Sequence, residues 1–173
     1  MKNLIRNATP EDVPAIAHVH TQSWVETYTG RIPEEVLSQL TLERRLAQWQ
    51  RYMEQGSKHV LVLEHEGQVV GFARAMPHPE TTLGTDSELE SIYLLKAHQG
   101  KGAGRQLMTA AVQHLQDAGA TTMGLWVLKD NPTIGFYEHM GGVHTAENSM
   151  RWFGHDLPVL GYVWQDLGPI LQG

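Results

Sequence analysis

The sequence predicts an α/β (α+β) fold, a mixed sheet with helices on both faces, from two observations. Strand-like and helix-like patterns alternate along all 173 residues, with no linker and no internal repeat. A glycine-rich turn, Gln99-Gly100-Lys101-Gly102-Ala103-Gly104-Arg105, joins a strand-like run (Leu89 to Leu95) to a helix-like run (Gln106 to Ala118). At this length one domain, 1–173, is expected, large enough for a real core.

Leu4 to Ala8 reads as a short strand. Thr9 follows as an N-cap with Pro10 at the first helical position, and a helix is expected from there to about Thr27. Val13, Ile16, Ala17, His20 and Trp24 form its apolar stripe, spaced by three and four. After Gly30 and Pro33 a short helix is expected near Glu34 to Leu40. Thr41 can cap another, with Leu42, Leu46, Trp49 and Met53 inward and Glu43, Arg44, Arg51 and Glu54 outward. Val60 to Leu63 and Val69 to Ala73 flank Glu66-Gly67, a hairpin signal. Pro77 to Asp86 is a polar loop, Leu125 to Val127 a strand, and Met150 to Phe153 and Val159 to Trp164 two more.

Strand, glycine turn and helix together hold a phosphate. Glycine takes φ > 0 and lets a ligand approach the backbone, and a helix start offers unpaired N–H groups and the positive dipole end. A P-loop would need glycine at Leu95 and a hydroxyl residue at Gly102. A dinucleotide fingerprint starting at Gly102 would need glycine at Leu107. Both are excluded.

Gln99, Gly102 and Gly104, as Gln-x-x-Gly-x-Gly, fit another pattern. Upstream lies Glu88-Leu89-Glu90-Ser91-Ile92-Tyr93-Leu94; downstream lie Asp130-Asn131-Pro132 and Phe136-Tyr137-Glu138-His139-Met140-Gly141. In this order the motifs resemble the GCN5-related N-acetyltransferase (GNAT) family, and Leu4 to Asp12 resembles that family's first strand and helix start. The resemblance is strongest over residues 86 to 142. It implies a mostly antiparallel sheet of about seven strands in which parallel strands four and five splay apart. It implies acetyl-CoA as co-substrate, with Gln99, Gly100, Lys101, Gly102, Ala103, Gly104 and Arg105 around the pyrophosphate. The backbone at Ile92, Tyr93 and Leu94 would then satisfy the pantetheine amides.

The resemblance also places Tyr137 as the acid that protonates the leaving thiolate; for the base, Glu90 matches the glutamate that spermidine/spermine N-acetyltransferases use through a water, and release of the proton to water without a dedicated base is the alternative. Glu88 and Glu90 share a strand face with Ile92 and Leu94 by alternation and form a carboxylate pair suited to a cationic amine. Asn131 is a candidate cofactor contact, although the family's asparagine falls at Asp130, and Asn131-Pro132 is equally an N-cap followed by proline. The family often has proline at Lys96. Trp24, Tyr28 and Glu26, with His20 beside them, are candidates for the acceptor pocket.

The expected activity is direct acetyl transfer to a primary amine of a small molecule, with polyamine-like acceptors first. A non-catalytic acyl-CoA-binding module and a peptide or protein N-terminal acetyltransferase are the alternatives. Zero cysteines exclude disulfides, Cys zinc sites and a Cys nucleophile, and the ten histidines form no zinc pattern, so no metal is expected. A net charge of -6 argues against nucleic acid. No apolar run approaches the roughly 18 residues of a spanning helix, and no signal-peptide core precedes Leu4, so no membrane partner and a cytoplasmic location are expected. A homodimer follows only from family analogy.

Overall fold

The computed structural model describes residues 2–56, 58–77 and 81–172. One seven-stranded sheet runs β1 (Asn3–Asn7), β2 (Val60–His65), β3 (Gln68–Pro77), β4 (Ser87–Leu94), β5 (Met123–Leu128), β7 (His155–Trp164) and β6 (Val143–Trp152). All neighbours are antiparallel except β4 and β5, which run parallel. The helices are α1 (Val13–Tyr28), α2 (Glu34–Leu37), α3 (Leu42–Glu54), α4 (Ala103–Asp117), α5 (Ile134–His139) and α6 (Gly168–Gln172).

Val60 to Leu63 is a continuous apolar run because helices cover both faces of β2. Val60 and Val62 pack with Ile16, Val19 and Trp49 of α1 and α3, together with Phe72 of β3. Leu61 and Leu63 pack with Leu107, Met108, Ala111 and Leu115 of α4. Each of these large side chains contributes about 1.5–3 kcal/mol when withdrawn from water.

The expected start of α1 is present, opened by a single 3-10 turn at Pro10–Asp12. Its first carboxylate is clamped there: Thr9 N–H donates to Asp12 at 2.8 Å, and Arg6 donates to both Asp12 oxygens at 2.7 and 2.9 Å. The two hairpins turn at Glu66-Gly67 and Phe153-Gly154, all four with positive φ, the geometry that matches strand twist. The second hairpin is longer than its apolar cores suggested, because β6 is an exposed strand whose polar residues carry no periodic signal. The short helix α6 also lacks a sequence signal. Residues 78–80 of the expected polar loop lie outside the described residues.

Helix α3 departs from its expected faces. Leu42 is exposed, whereas Arg45 is buried beside Trp49. Glu26 is also redirected: its carboxylate accepts the Lys96 N–H at 2.9 Å and so ties α1 to the turn after β4.

Asp86 joins β4 to β5 at their base. It accepts the N–H groups of Thr121 and Thr122 at 2.9 Å each, and both threonine hydroxyls at 3.0 Å. Burial raises its pKa, but these donors outweigh burial and hold it below the usual 3.8. The stabilisation from the charged form is therefore complete above that ordinary value and is lost as pH falls through the lowered one. Asp86→Ala is expected to cost about 1–3 kcal/mol. A thermal melt at neutral pH checks this, and the deficit should shrink in melts taken at acidic pH.

Candidate active site

Only Glu88 and Gly124 pair across β4 and β5. Beyond that pair the strands part, and a cavity opens on each sheet face. The first, of about 450 Å³, lies between the sheet, α1, α3 and the β6–β7 hairpin. The second, of about 420 Å³, lies against α4 and α5. Ile92 and Tyr137 line both. The two cavities therefore meet at the gap.

A β-bulge sets which side chains reach them. Arg74 pairs with Ser91 and Ala75 with Leu89, so Glu90 is left without a partner on β3. Alternation breaks there. Ile92 and Leu94 face α4, but Glu88 and Glu90 line the first cavity on the opposite face, with Tyr93. The sequence expectation of one shared face for these four residues is thus corrected, because a period of two survives only until an extra residue is inserted.

The glycine turn borders the second cavity through Gln99, Gly100, Gly102, Gly104 and Arg105. Gly100 and Gly102 have φ of +75° and +85°, so a side chain would be strained at either. The first helical bond runs from Gln106 N–H to Gly102 O, which leaves the amides of 103–105 ahead of the helical ladder. Gln99 Nε2 donates to Leu94 O at 2.8 Å and holds the turn against the end of β4. Lys101 reaches back to Ala97 O at 3.4 Å rather than into the cavity, and the Ala103 side chain is packed in the core. Neither residue lines the second cavity.

Asn131, a candidate for the cofactor side, borders the first cavity instead. Its Nδ2 donates to Tyr28 Oη at 3.0 Å, while its Oδ1 accepts the Thr133 N–H at 2.7 Å and the Thr133 hydroxyl. These bonds close a turn just ahead of α5, whose N-cap is Thr133, so the expectation of Asn131 as an N-cap followed by proline at the first helical position is corrected by two residues. Trp24 and Tyr28 wall the first cavity, as does His20, whose Nδ1 accepts the Trp49 indole N–H at 3.0 Å. Burial pushes His20 well below its usual pKa, and Arg45 adds to the effect, so this ring is neutral.

Two walls of the first cavity were missed by sequence reasoning. Arg45, Gln48 and Tyr52 come from α3 and Arg74 from β3. Arg74 stacks on the Tyr52 ring at 3.7 Å and donates to Glu90 at 2.6 Å. On the other side Thr133 and Phe136 were missed in the second cavity.

Tyr137 is buried, and burial first, with Tyr93 second, raises its pKa well above the usual phenol. Its hydroxyl is therefore protonated at neutral pH. Glu88 is also raised, by burial and then by Glu90, with Arg74 opposing. Among the described residues no group of three metal-ligating side chains occurs, and no helix is long and apolar enough to cross a membrane.

The Acetyltransferase (GNAT) family model matches residues 19–142, which include the glycine turn, the second cavity's lining and most of the first cavity's. The chain belongs to the GNAT family. Over 96% of the chain and 95% of the relative, it is 35% identical to the uncharacterized N-acetyltransferase YuaI of Bacillus subtilis. It is thus an N-acetyltransferase of the GNAT type. The acetyltransferase yncA of Salmonella typhimurium, solved with acetyl-CoA, superposes with a TM-score of 0.67 at 25% identity, covering 95% of this chain and 94% of that one. The PaiA N-acetyltransferase of Thermoplasma acidophilum, solved with coenzyme A, shares the fold with a TM-score of 0.72 at 21% identity, covering 93% and 98%. The GNAT sheet, with parallel strands splayed in its middle, is the architecture described above.

Proposed function

We propose that the protein moves an acetyl group from acetyl-CoA directly to the primary amine of a small molecule. One observation carries this reading: two cavities on opposite faces of one sheet share Ile92 and Tyr137 at the gap between β4 and β5. A donor entering from the α4 side and an acceptor from the α1 side would meet there.

The second cavity fits an elongated thioester that carries a pyrophosphate. The turn at 100–105 offers free amides and a helix start to the phosphates, with Arg105 adding charge. The β4 edge beyond Glu88 offers unpaired backbone groups to the pantetheine amides. When bound, acetyl-CoA supplies an acyl carbon activated by a thiol leaving group.

The acceptor must arrive as a free amine, although an alkyl ammonium has a pKa of about 10.4. Glu88 takes that proton through water. Its raised pKa makes it a better proton acceptor than an ordinary carboxylate, whereas Glu90 is tied to Arg74 at 2.6 Å. Glu90 instead sets the potential that Glu88 feels. The amine nitrogen then bonds to the acyl carbon, the carbon–sulfur bond breaks, the nitrogen's second proton leaves to solvent, and the Tyr137 hydroxyl donates its proton toward the departing sulfur. Solvent reprotonates Tyr137. Substrate positioning and charge placement do most of the work.

A panel of small amines in a thiol-release assay tests the reading. Amine-dependent release supports it; binding of acetyl-CoA without release from any amine would leave a non-catalytic binding module. The acid limb of the kcat profile tests the base. It should lie above the ordinary carboxylate value and disappear in Glu88→Gln. Glu90→Gln should move it to lower pH, because the charge that raises Glu88 is gone while Arg74 still lowers it. A limb unchanged by both substitutions would show that water alone takes the proton.

A further inference from the structure

Arg45 is a buried cation in the first cavity, 8% exposed. Its Nε has no hydrogen-bond partner among the described residues. Its remaining contacts are weak for a guanidinium: one bond to Gln48 Oε1 at 3.3 Å, and the Trp24 ring at 5.3 Å. Among the described residues no carboxylate pairs with it, although Arg74, on the same cavity wall, is paired with Glu90. Burial lowers the Arg45 pKa, and the Tyr93 and Tyr52 rings offset that only in part. Leaving a guanidinium buried and unpaired is costly unless something completes it.

The remaining charged residue of the cavity is Glu88, also without an ion-pair partner among the described residues. The lining thus presents one unpaired cation and one unpaired anion.

We propose that Arg45 selects the acceptor: it binds the carboxylate of a small amine that also carries an acid group, an amino-acid-like molecule whose amino group sits toward Glu88 and Tyr137. This rests on the proposed transferase reading and names the substrate class of the same site. The planar guanidinium fork matches a carboxylate with two parallel hydrogen bonds, which a point charge would not. A cavity of about 450 Å³ accommodates a single amino acid. Arg45 also repels a polyamine, so the polyamine-like acceptors expected from the sequence become the disfavoured class.

The test compares matched acceptors that differ only in the carboxylate: phenylalanine against phenethylamine, leucine against isoamylamine, and methionine against methylthiopropylamine. With wild-type protein and acetyl-CoA, the amino acid of each pair should show a kcat/KM on the order of 30-fold or more above its partner. In Arg45→Met the two members should become nearly equal, chiefly through a raised KM for the amino acid. Arg45→Lys should recover part of the preference, since it keeps the charge and loses the fork. Equal or better use of the decarboxylated amines by the wild type overturns the assignment, and that comparison does not depend on any variant folding. So does a preference that survives in Arg45→Met. Thiol release with neutral amines alone keeps the transferase reading and removes this one; no release with either class overturns both.

Discussion

Replacing Tyr137 with phenylalanine is expected to lower kcat roughly 100- to 10,000-fold, the range for loss of a positioned acid. Among the described residues, Tyr137 is the one side chain with an ionisable proton that borders both cavities. A free thiol has a pKa of about 8.5, so the thiolate departs as an anion at neutral pH and is stabilised by a donor that still holds its proton when the carbon–sulfur bond breaks. Burial keeps the phenol in that state. Phenylalanine preserves the ring that packs beside Phe136 and Tyr162, so the fold should hold. Steady-state kinetics with both substrates varied, alongside a thermal shift with acetyl-CoA, separates the two effects. The shift should persist while turnover collapses. A variant with near-normal kcat would remove Tyr137 from the chemistry and leave proton delivery to water.

The second large effect lies in the glycine turn, where two substitutions should fail differently. Gly102→Ala puts a Cβ on a backbone at φ +85°, which costs about 1–2 kcal/mol. Both the melting temperature and acetyl-CoA affinity should fall, since relieving the strain moves the amides that face the ligand. Gly104 has an ordinary helical φ, and a Cβ there meets Phe136 only at 3.8 Å, in open contact. Gly104→Ala should therefore leave the melting temperature almost unchanged, whereas Gly104→Val, whose branches extend beyond the Cβ at the wall of the second cavity, should abolish the acetyl-CoA thermal shift. If Gly104→Val still binds acetyl-CoA normally, the turn does not hold the ligand as proposed.

The turn was legible because it is local. Strand, glycines and helix lie in consecutive residues, and their order alone fixes free amides at a helix start. Strand β2 and the Glu66-Gly67 hairpin were legible for the same reason. The orientation of Glu88 and Glu90 was not, because a bulge at Glu90 reverses the face of everything before it, and no residue at that position announces a bulge. Arg45 was hidden differently. Helical periodicity assigns a charged residue to the solvent side, but the surface beside Trp49 is a cavity wall built from α1, β4 and the β6–β7 hairpin, which lie far away in sequence. Asn131 was ambiguous because an N-cap and a ligand contact use the same residue before the same proline; its bonds to Thr133 and Tyr28 fasten a turn instead, and the cap falls on Thr133. The donor side of the site is thus written in neighbouring residues. The acceptor side exists only after folding.

A crystal structure with acetyl-CoA bound tests the central claim most directly, because the claim is about where two ligands meet. The pyrophosphate is expected against the amides of 100–105, the pantetheine along the β4 edge, and the thioester at the gap beside Ile92 and the Tyr137 hydroxyl. A thioester outside that gap, or a pyrophosphate bound away from the turn, would contradict it.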